Sequence, residues 1–341
     1  MGRYKLNLAD IFQASGYDSL EPTYSCSVSS NVFNSIKSGA NWTTHLTAAT
    51  SLYSILDDIS GVSPTDSGFH ASFDHYYDNL SARQCHAKPL PCKLVNGVNS
   101  TTCVDQTIAD EVYRLGNYEY SYIYRDDPRS LAASAASYGV WVGELTTHIR
   151  NFINGTSDVI YRHNVAHDGS ISRLLSVLQL DVMVWPGMGS EVVFELYKKD
   201  ATTPTTTASV VAPTCNHDNC LRQVIQQSAS ASQVCPTYTA SSATSIPSFA
   251  SNCGSAAAVS SACSCIVTPT PTATSTPTST PNSASGYYIR VLWKGQVLRS
   301  SNPSLGLMDM VPLETVLGYF DGLVGAGASL VLGKCNGSIP V

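Results

Sequence analysis

The chain of 341 residues is long enough for two domains or one large one, and its 43% of apolar residues can bury a sizeable core. Only 13% of the residues are charged and the formal net charge is −6, which argues against a nucleic-acid or anionic-membrane partner. No stretch approaches the roughly 20 consecutive apolar residues that a transmembrane helix needs.

Cysteines and glycosylation sequons indicate an oxidising compartment. The chain has eleven cysteines, and N-x-S/T sequons occur five times, at Asn41, Asn79, Asn99, Asn154 and Asn336. Together they predict a secreted, disulfide-bonded glycoprotein. The first residues, MGRYKLNLADIF, contain no apolar signal-peptide core, so we expect the true start of the protein to lie upstream of Met1.

Residues 1–200 mix short apolar runs with helical patterns. Residues 137–153 repeat apolar side chains at helical spacing and predict a helix. Residues 158–166 begin as a short apolar run and are followed by a polar loop and by SRLLSVLQL, residues 172–180. This order predicts a buried strand, a functional loop and then a helix.

Residues 201–286 form a second zone of different composition. Pro/Thr/Ser tracts at 202–209 and 268–286 cannot bury enough apolar surface to fold and are typical of O-glycosylated stalks. Six cysteines lie between the tracts, and an even count in so short a span predicts a disulfide module over 215–265. They are Cys215, Cys220, Cys235, Cys253, Cys263 and Cys265.

Residues 287–341 return to the character of the first zone. Residues 192–199 and 287–298 are both strand-like, and we expect them to be antiparallel neighbours with the module inserted in their loop. Long insertions in a surface loop cost little because closure entropy grows only logarithmically. The chain is therefore predicted to be one interrupted domain.

The dipeptide His167-Asp168 follows the predicted strand 158–166. In open α/β sheets, ligands bind at the carboxyl ends of strands, where a His beside an Asp could position a phosphate and supply a proton. A loop pair bonded only to backbone is the alternative.

The sequence context of the other candidate His, Cys and Asp ligands indicates structural roles and not metal binding. The spacing of His163 and His167 could hold zinc only on a helix, and the pair lies in a predicted strand and loop. The pairs Asp74-His75 and Cys85-His86 lie in a tyrosine-rich segment, and CNHDNC at 215–220 favours disulfides over zinc. No metal or cofactor is predicted. The tyrosines of 113–124 could stack on a ligand or form an aromatic face.

Several stretches of the chain resemble the histidine acid phosphatases of the phosphoglycerate mutase-like superfamily, which include fungal acid phosphatases and phytases. The matching stretches are YDSLEPTYSCSV (17–28), FHASFDHYYDNLSARQCHAKPLPC (69–92), GVWVGELTTHI (139–149), YRHNVAHDGSISRLLSVLQLDVMVWPGMGSEVVFELY (161–197), YYIRVLWKGQVL (287–298) and PSLGLMDMVPLETVL (303–317). The resemblance implies an α/β fold, a three-layer α/β/α sandwich with a smaller, mainly helical cap at about 20–150.

The resemblance also implies a mechanism for phosphomonoester substrates. In the family, the histidine of an Arg-His-Gly motif attacks phosphorus, and arginines bind the phosphoryl oxygens. By position, His167 would contact phosphate and Asp168 would protonate the leaving oxygen as general acid. Residues 185–191 would shape the wall of the site.

This sequence departs from the family at the nucleophile. No Arg-His-Gly occurs among the 341 residues, and the second phosphate-binding arginine has no counterpart. Five cysteines lie outside the module, which leaves one without a partner, and the resemblance pairs Cys26 with Cys335. A partner on an upstream segment or a tolerated free thiol would explain the odd count.

The sequence therefore predicts a secreted histidine acid phosphatase-like protein that hydrolyses phosphomonoesters at acidic pH in its full form. We expect the chain as it stands to be truncated and to have little or no activity. The alternative is a non-catalytic secreted glycoprotein whose module at 215–265 contacts a surface, a glycan or a partner.

Overall fold

The structure, a computed structural model, describes residues 18–22, 24–199 and 286–340, with parts of 220–264. The backbone divides into two compact units. One unit combines the chain up to Lys199 with the chain from Asn282 onward, and the other comprises residues 200–281.

The described elements are mostly helices with a few short strands. The helices are α1 (Ser27–Lys37), α2 (Ala40–Ala48), α3 (Thr50–Ser60), α4 (Asp74–Cys85), α5 (Gln106–Ser121), α6 (Ser130–Ile153), α7 (Asp168–Val177), α8 (Ala256–Ser264), α9 (Leu313–Val324) and α10 (Val331–Asn336). The strands are β1 (Cys92–Val95), β2 (Val98–Cys103), β3 (Val192–Lys198), β4 (Tyr287–Trp293), β5 (Gln296–Val297) and β6 (Val311–Pro312). None of the helices in the described ranges is long and apolar enough to cross a bilayer.

The larger sheet is antiparallel. Strand β3 pairs with β4 in a register that runs from Val192 opposite Trp293 to Lys198 opposite Tyr287. The chain then reverses into β5 through Lys294 and Gly295, whose φ angles of 50° and 72° suit a tight hairpin turn. Strand β6 also pairs with β4. The predicted antiparallel pairing of 192–199 with 287–298 is confirmed.

Helix α6 lies at the centre of the main core. A Cβ on Gly139 would lie 2.5 Å from Val331 Cγ2, and a Cβ on Gly143 would lie 2.8 Å from the Cβ of Ala328. The two glycines therefore let the chain around α10 pack close to α6. The helix predicted at 137–153 is confirmed, and it begins earlier, at Ser130.

A disulfide joins the two ends of this unit. Cys26, just before α1, bonds Cys335 in α10 across 309 residues of sequence, as the resemblance implied. A second bridge, Cys92–Cys103, closes the β1–β2 hairpin. Cys85 is exposed and has no disulfide partner, so it is the odd cysteine of the five outside the module.

A separate apolar cluster holds together the helices that precede α6. Phe73 and Val112 are fully buried in it, and Tyr53 stacks on Phe73 at 4.4 Å between ring centroids. Helix α5 begins at a capped end, because the carboxylate of Asp105 accepts a hydrogen bond of 2.9 Å from the backbone N–H of Ile108.

The segment 158–166 is not a buried strand, so that prediction was wrong. It forms neither helix nor strand, and Ile160 is 87% exposed. Within the described chain, no backbone hydrogen bond links 158–166 to another segment. A short apolar run becomes a buried strand only when a neighbouring strand or layer covers it, and no segment among the described residues covers this one.

The second unit has its own small core. Disulfides Cys220–Cys253 and Cys235–Cys263 lie within it, and Val224, Ala231 and Val259 are buried around them. Cys215 and Cys265, and the predicted stalks apart from Gly286, lie outside the described residues.

Helices and strands together give the mixed α/β content that the sequence predicts. The strands described here pair only antiparallel, in a four-stranded sheet and a two-stranded hairpin. The parallel three-layer sandwich is therefore not seen in these parts of the chain.

Candidate functional site

Asp168 is the first residue of α7, where the positive end of the helix dipole lies. Its carboxylate is oriented by three donors. Oδ1 accepts from the N–H of Gly169 at 2.7 Å, and Oδ2 accepts from Trp185 Nε1 at 2.6 Å and from the Tyr120 hydroxyl at 2.9 Å. The three hydrogen bonds hold the carboxylate in one orientation.

Trp185 is held between two tyrosine rings. The ring centroids of Tyr77 and Tyr120 each lie 4.0 Å from the indole, with interplanar angles of 7° and 21°. The backbone N–H of Trp185 also donates to Asn117 Oδ1 at 3.0 Å. Both faces of this indole are therefore occupied, and no face remains on which a sugar or base could stack.

A glycine of α5 makes room for this aromatic stack. A Cβ on Gly116 would lie 2.5 Å from Cδ2 of Tyr77 and 3.0 Å from Cε3 of Trp185.

Burial, helped by the nearby Tyr124 and Asp168, raises the pKa of Tyr120 far above its ordinary value. The Tyr120 hydroxyl therefore remains a hydrogen-bond donor at any physiological pH.

A cleft of about 230 Å³ opens beside Asp168. Tyr77 and Trp185 form part of its wall, and Asp78 contributes a second carboxylate. Residues 186–190 also line the cleft, with a tight turn at Gly189, where φ is 72°. No lysine, arginine or histidine of the described chain is among the residues that line the cleft.

His167 lies next to Asp168 in sequence but not in the cleft wall. It occupies the N-cap position of α7 with extended backbone, and its side chain is 76% exposed. Its Nε2 atom lies 3.7 Å from a carboxylate oxygen of Glu21. The predicted pair is thus divided: Asp168 lines the cleft, and His167 points toward Glu21.

The other candidate ligands form no metal site among the described residues. No cluster of three or more His, Cys, Asp or Glu side chains suited to a metal occurs in the described ranges. His163 hydrogen-bonds the Tyr161 hydroxyl at 3.0 Å, while Asp74 and His75 form an exposed contact at 3.9 Å. CNHDNC at 215–220 lies outside the described residues except for Cys220, which is in a disulfide.

A buried ionisable pair was missed by sequence reasoning. Glu119, in α5, accepts from His45 Nε2 at 2.8 Å and from the N–H of Phe73 at 2.9 Å. Burial raises the pKa of Glu119, although both hydrogen bonds act in the opposite direction. Neither residue is among those that line the cleft. No local pattern reveals it, because its members are 74 residues apart in sequence.

Sequence reasoning also missed the hydrogen-bond donors to Asp168, for the same reason. Tyr120 and Trp185 lie 48 and 17 residues from it in sequence. The tyrosine-rich run at 113–124 and the segment 185–191 were each noticed, but nothing in their spacing ties them to one carboxylate.

Comparison with known proteins gives one distant similarity. A stretch of 123 residues, 36% of this chain, is 29% identical to counting factor 60 of Dictyostelium discoideum and covers 26% of that protein. The chain thus spans about a quarter of the length of this relative. No family model matches the chain, and no solved structure matches it.

Proposed function

We propose that this chain is a histidine acid phosphatase-like protein whose acid is Asp168. The position of that carboxylate carries the proposal: it is the first residue of a helix, it lines a cleft, and three donors orient it. A three-layer α/β/α sandwich with a smaller helical cap belongs to the same proposal.

The proton of the acid has one favoured position. Oδ2 of Asp168 already accepts hydrogen bonds from Trp185 and from Tyr120, so both of its lone pairs are in use. A proton on Oδ2 would displace one of these donors. The proton of a general acid would therefore reside on Oδ1. In the family reaction the nucleophilic imidazole forms a bond to phosphorus, the bond to the ester oxygen breaks, and that oxygen takes this proton.

By itself the chain lacks what the phosphoryl group needs. Arg-His-Gly is absent from the sequence, and the described lining of the cleft contains two carboxylates and no cation. Phosphoryl-transfer sites supply positive groups to the phosphoryl oxygens, and no residue of the described lining can do so. We expect the chain as given to be inactive or nearly so.

The test compares the chain with a version extended by a homologous N-terminal segment that carries Arg-His-Gly. The extended protein should hydrolyse an alkyl phosphate at acidic pH, and Asp168→Asn should reduce that rate by about 10²–10⁴-fold. The hydrolysis rate of a nitrophenyl ester should fall less, because nitrophenolate can leave without full protonation. Asp78→Asn, in the same cleft, is the matched control.

Two outcomes would overturn the assignment. If the alkyl-to-nitrophenyl ratio of Asp168→Asn equals that of the parent, Asp168 is not the proton donor. If the unextended chain turns over an aryl phosphate and loses that activity in Asp168→Asn, another nucleophile is present.

A second function, that of a non-catalytic secreted glycoprotein, is supported by a different observation. All five sequon asparagines lie at exposed positions. The unit of residues 200–281 has its own disulfides and core, as expected of a module that contacts a surface, a glycan or a partner. A shift in mass on N-glycosidase treatment of protein from a secreting host would support it, and an unshifted mass would count against it.

A further inference from the structure

Residues 158–162, with the sequence Asp-Val-Ile-Tyr-Arg, have the composition of a strand but pair with no strand of the described chain. Valine, isoleucine and tyrosine are strong strand formers. Across the described ranges, the segment makes no backbone hydrogen bond with any other segment. Apart from the N–H of Val159, which donates to Ser157 Oγ at 3.4 Å, no described backbone or side-chain partner occupies its N–H and C=O groups. Unpaired backbone groups of this kind are the condition under which a strand recruits another chain.

The segment is also apolar at its centre and exposed. Val159, Ile160 and Tyr161 are 43%, 87% and 60% exposed. Single exposed apolar residues are ordinary on protein surfaces, whereas here three stand in succession on a segment that no described strand covers. Covering them removes apolar surface from water, which favours association.

The charges at the two ends of the segment have no partners of their own. Within the described chain, neither Asp158 nor Arg162 takes part in an ion pair or a side-chain hydrogen bond. They lie four residues apart, so in a strand they project on the same face as Ile160, which lies midway between them.

The five residues are complementary to themselves when two copies run antiparallel. With Ile160 opposite Ile160, Val159 lies opposite Tyr161 and Asp158 opposite Arg162. The apolar pairs then meet in the middle, and an ion pair closes each end. Cross-strand pairs of these kinds stabilise a sheet.

Neighbouring registers lack this complementarity. Centring the pair on Tyr161 sets Ile160 opposite Arg162, and centring it on Arg162 sets two guanidinium groups against each other. A parallel in-register pair would place each charge beside its like. One register therefore satisfies all five positions, and it has the two-fold symmetry that homodimers favour.

We propose that residues 158–162 form an antiparallel strand pair with the same residues of a second copy, giving a homodimer with Ile160 facing Ile160. This inference does not rest on the proposed phosphatase function.

Charge exchange in the full chain tests the register. Sedimentation equilibrium of the parent should show a concentration-dependent dimer. Asp158→Arg and Arg162→Asp alone each replace two ion pairs by two like-charge pairs, so each should weaken dimerisation by about tenfold or more. The double variant Asp158→Arg/Arg162→Asp restores both pairs and should return the dissociation constant to within about threefold of the parent.

A cysteine experiment tests the same contact independently of stability. In a Cys85→Ser background, Ile160→Cys places two thiols opposite each other and should give a covalent dimer on mild oxidation. Val165→Cys is the control, because Val165 is 78% exposed but has no counterpart opposite itself in this register. The proposal would be overturned if the parent stays monomeric up to its solubility limit. It would also be overturned if the double charge variant dimerises as weakly as the single variants, or if Ile160→Cys and Val165→Cys cross-link equally.

Discussion

Trp185 Nε1 donates a hydrogen bond of 2.6 Å to Oδ2 of Asp168, and this contact fixes the one carboxylate that the sequence predicts to be functional. The indole is only 5% exposed and lies between Tyr77 and Tyr120. Its rigid packing means that the donor, and hence the carboxylate, has little freedom to move.

Trp185→Phe should therefore lower the free energy of unfolding by about 1–3 kcal/mol, because it keeps an aromatic ring but removes a hydrogen bond to a charged group. Tyr120→Phe removes the other donor to the same oxygen. Urea unfolding of both single variants and the double variant should show an effect that is not additive, since the donors share one acceptor. Tyr77→Phe, which keeps its stacking on Trp185, is the control. If the effects of Trp185→Phe and Tyr120→Phe on stability add, the two donors do not orient Asp168 jointly.

Glu119 should make the stability of the protein depend on pH. Burial raises the folded-state pKa of Glu119 above its ordinary value of 4.5, so the folded protein holds the proton more tightly than the unfolded chain. The stabilising contribution is full below the unfolded pKa and is lost as pH rises through the folded pKa.

Glu119→Gln removes this titration, so the stability of the variant relative to the parent should increase as pH rises above the ordinary value of 4.5. His45 and Asp74, the neighbours that act on this carboxyl, are present in both proteins. Urea unfolding at several pH values measures the difference. Glu111→Gln, exposed on the same helix, is the control for the loss of a surface carboxylate. A difference between Glu119→Gln and the parent that stays flat with pH would show that the Glu119 carboxyl is not perturbed in the fold.

Two glycine substitutions should act in opposite directions. Gly139→Ala places a Cβ 2.5 Å from Val331 and should destabilise by about 1–3 kcal/mol through overpacking. Gly318→Ala, in α9, meets nothing within 4 Å and should stabilise by up to about 1 kcal/mol because alanine favours helix. Thermal unfolding of both variants measures the contrast, and equal changes would mean that α6 and α10 are not in close contact.

The two disulfides of the first unit should differ in their contribution. In the chain-entropy description, a loop closed across 309 residues stabilises by about 5–6 kcal/mol and one across 11 residues by about 3 kcal/mol. Cys26→Ser/Cys335→Ser should therefore destabilise more than Cys92→Ser/Cys103→Ser. Guanidinium unfolding of both double variants compares them, and the reverse order would show that enthalpy rather than loop closure dominates.

The insert between β3 and β4 should be replaceable by a short linker. The N–H of Lys199 donates to the carbonyl of Gly286 at 2.8 Å, so the two ends of the inserted chain meet. Replacing residues 200–285 by a Gly/Ser turn should leave circular dichroism of the first unit and its unfolding midpoint nearly unchanged. Peptide mapping of the parent should find Cys220–Cys253 and Cys235–Cys263. A bridge from either pair to Cys85, or unfolding of the shortened chain, would contradict this.

Local patterns in the sequence determined several elements. The helical spacing of 137–153 became part of α6, and the strand-like runs at 192–199 and 287–298 became β3 and β4. These predictions succeed because periodicity reports which face of one element is buried, and that information is carried by residues close together in the chain. The Cys26–Cys335 bridge came from the family resemblance, not from any local pattern.

Only the tertiary structure decided the surroundings of these elements. The run at 158–166 has the sequence of a buried strand but stays exposed, because burial depends on a neighbour and not on the run itself. In the same way, Asp168 and His167 are adjacent in sequence, yet Trp185 and Tyr120 hold the first in the cleft wall while the second faces Glu21. Hydrogen bonds and burial between distant segments depend on how the chain packs, and no local pattern of residues encodes that packing.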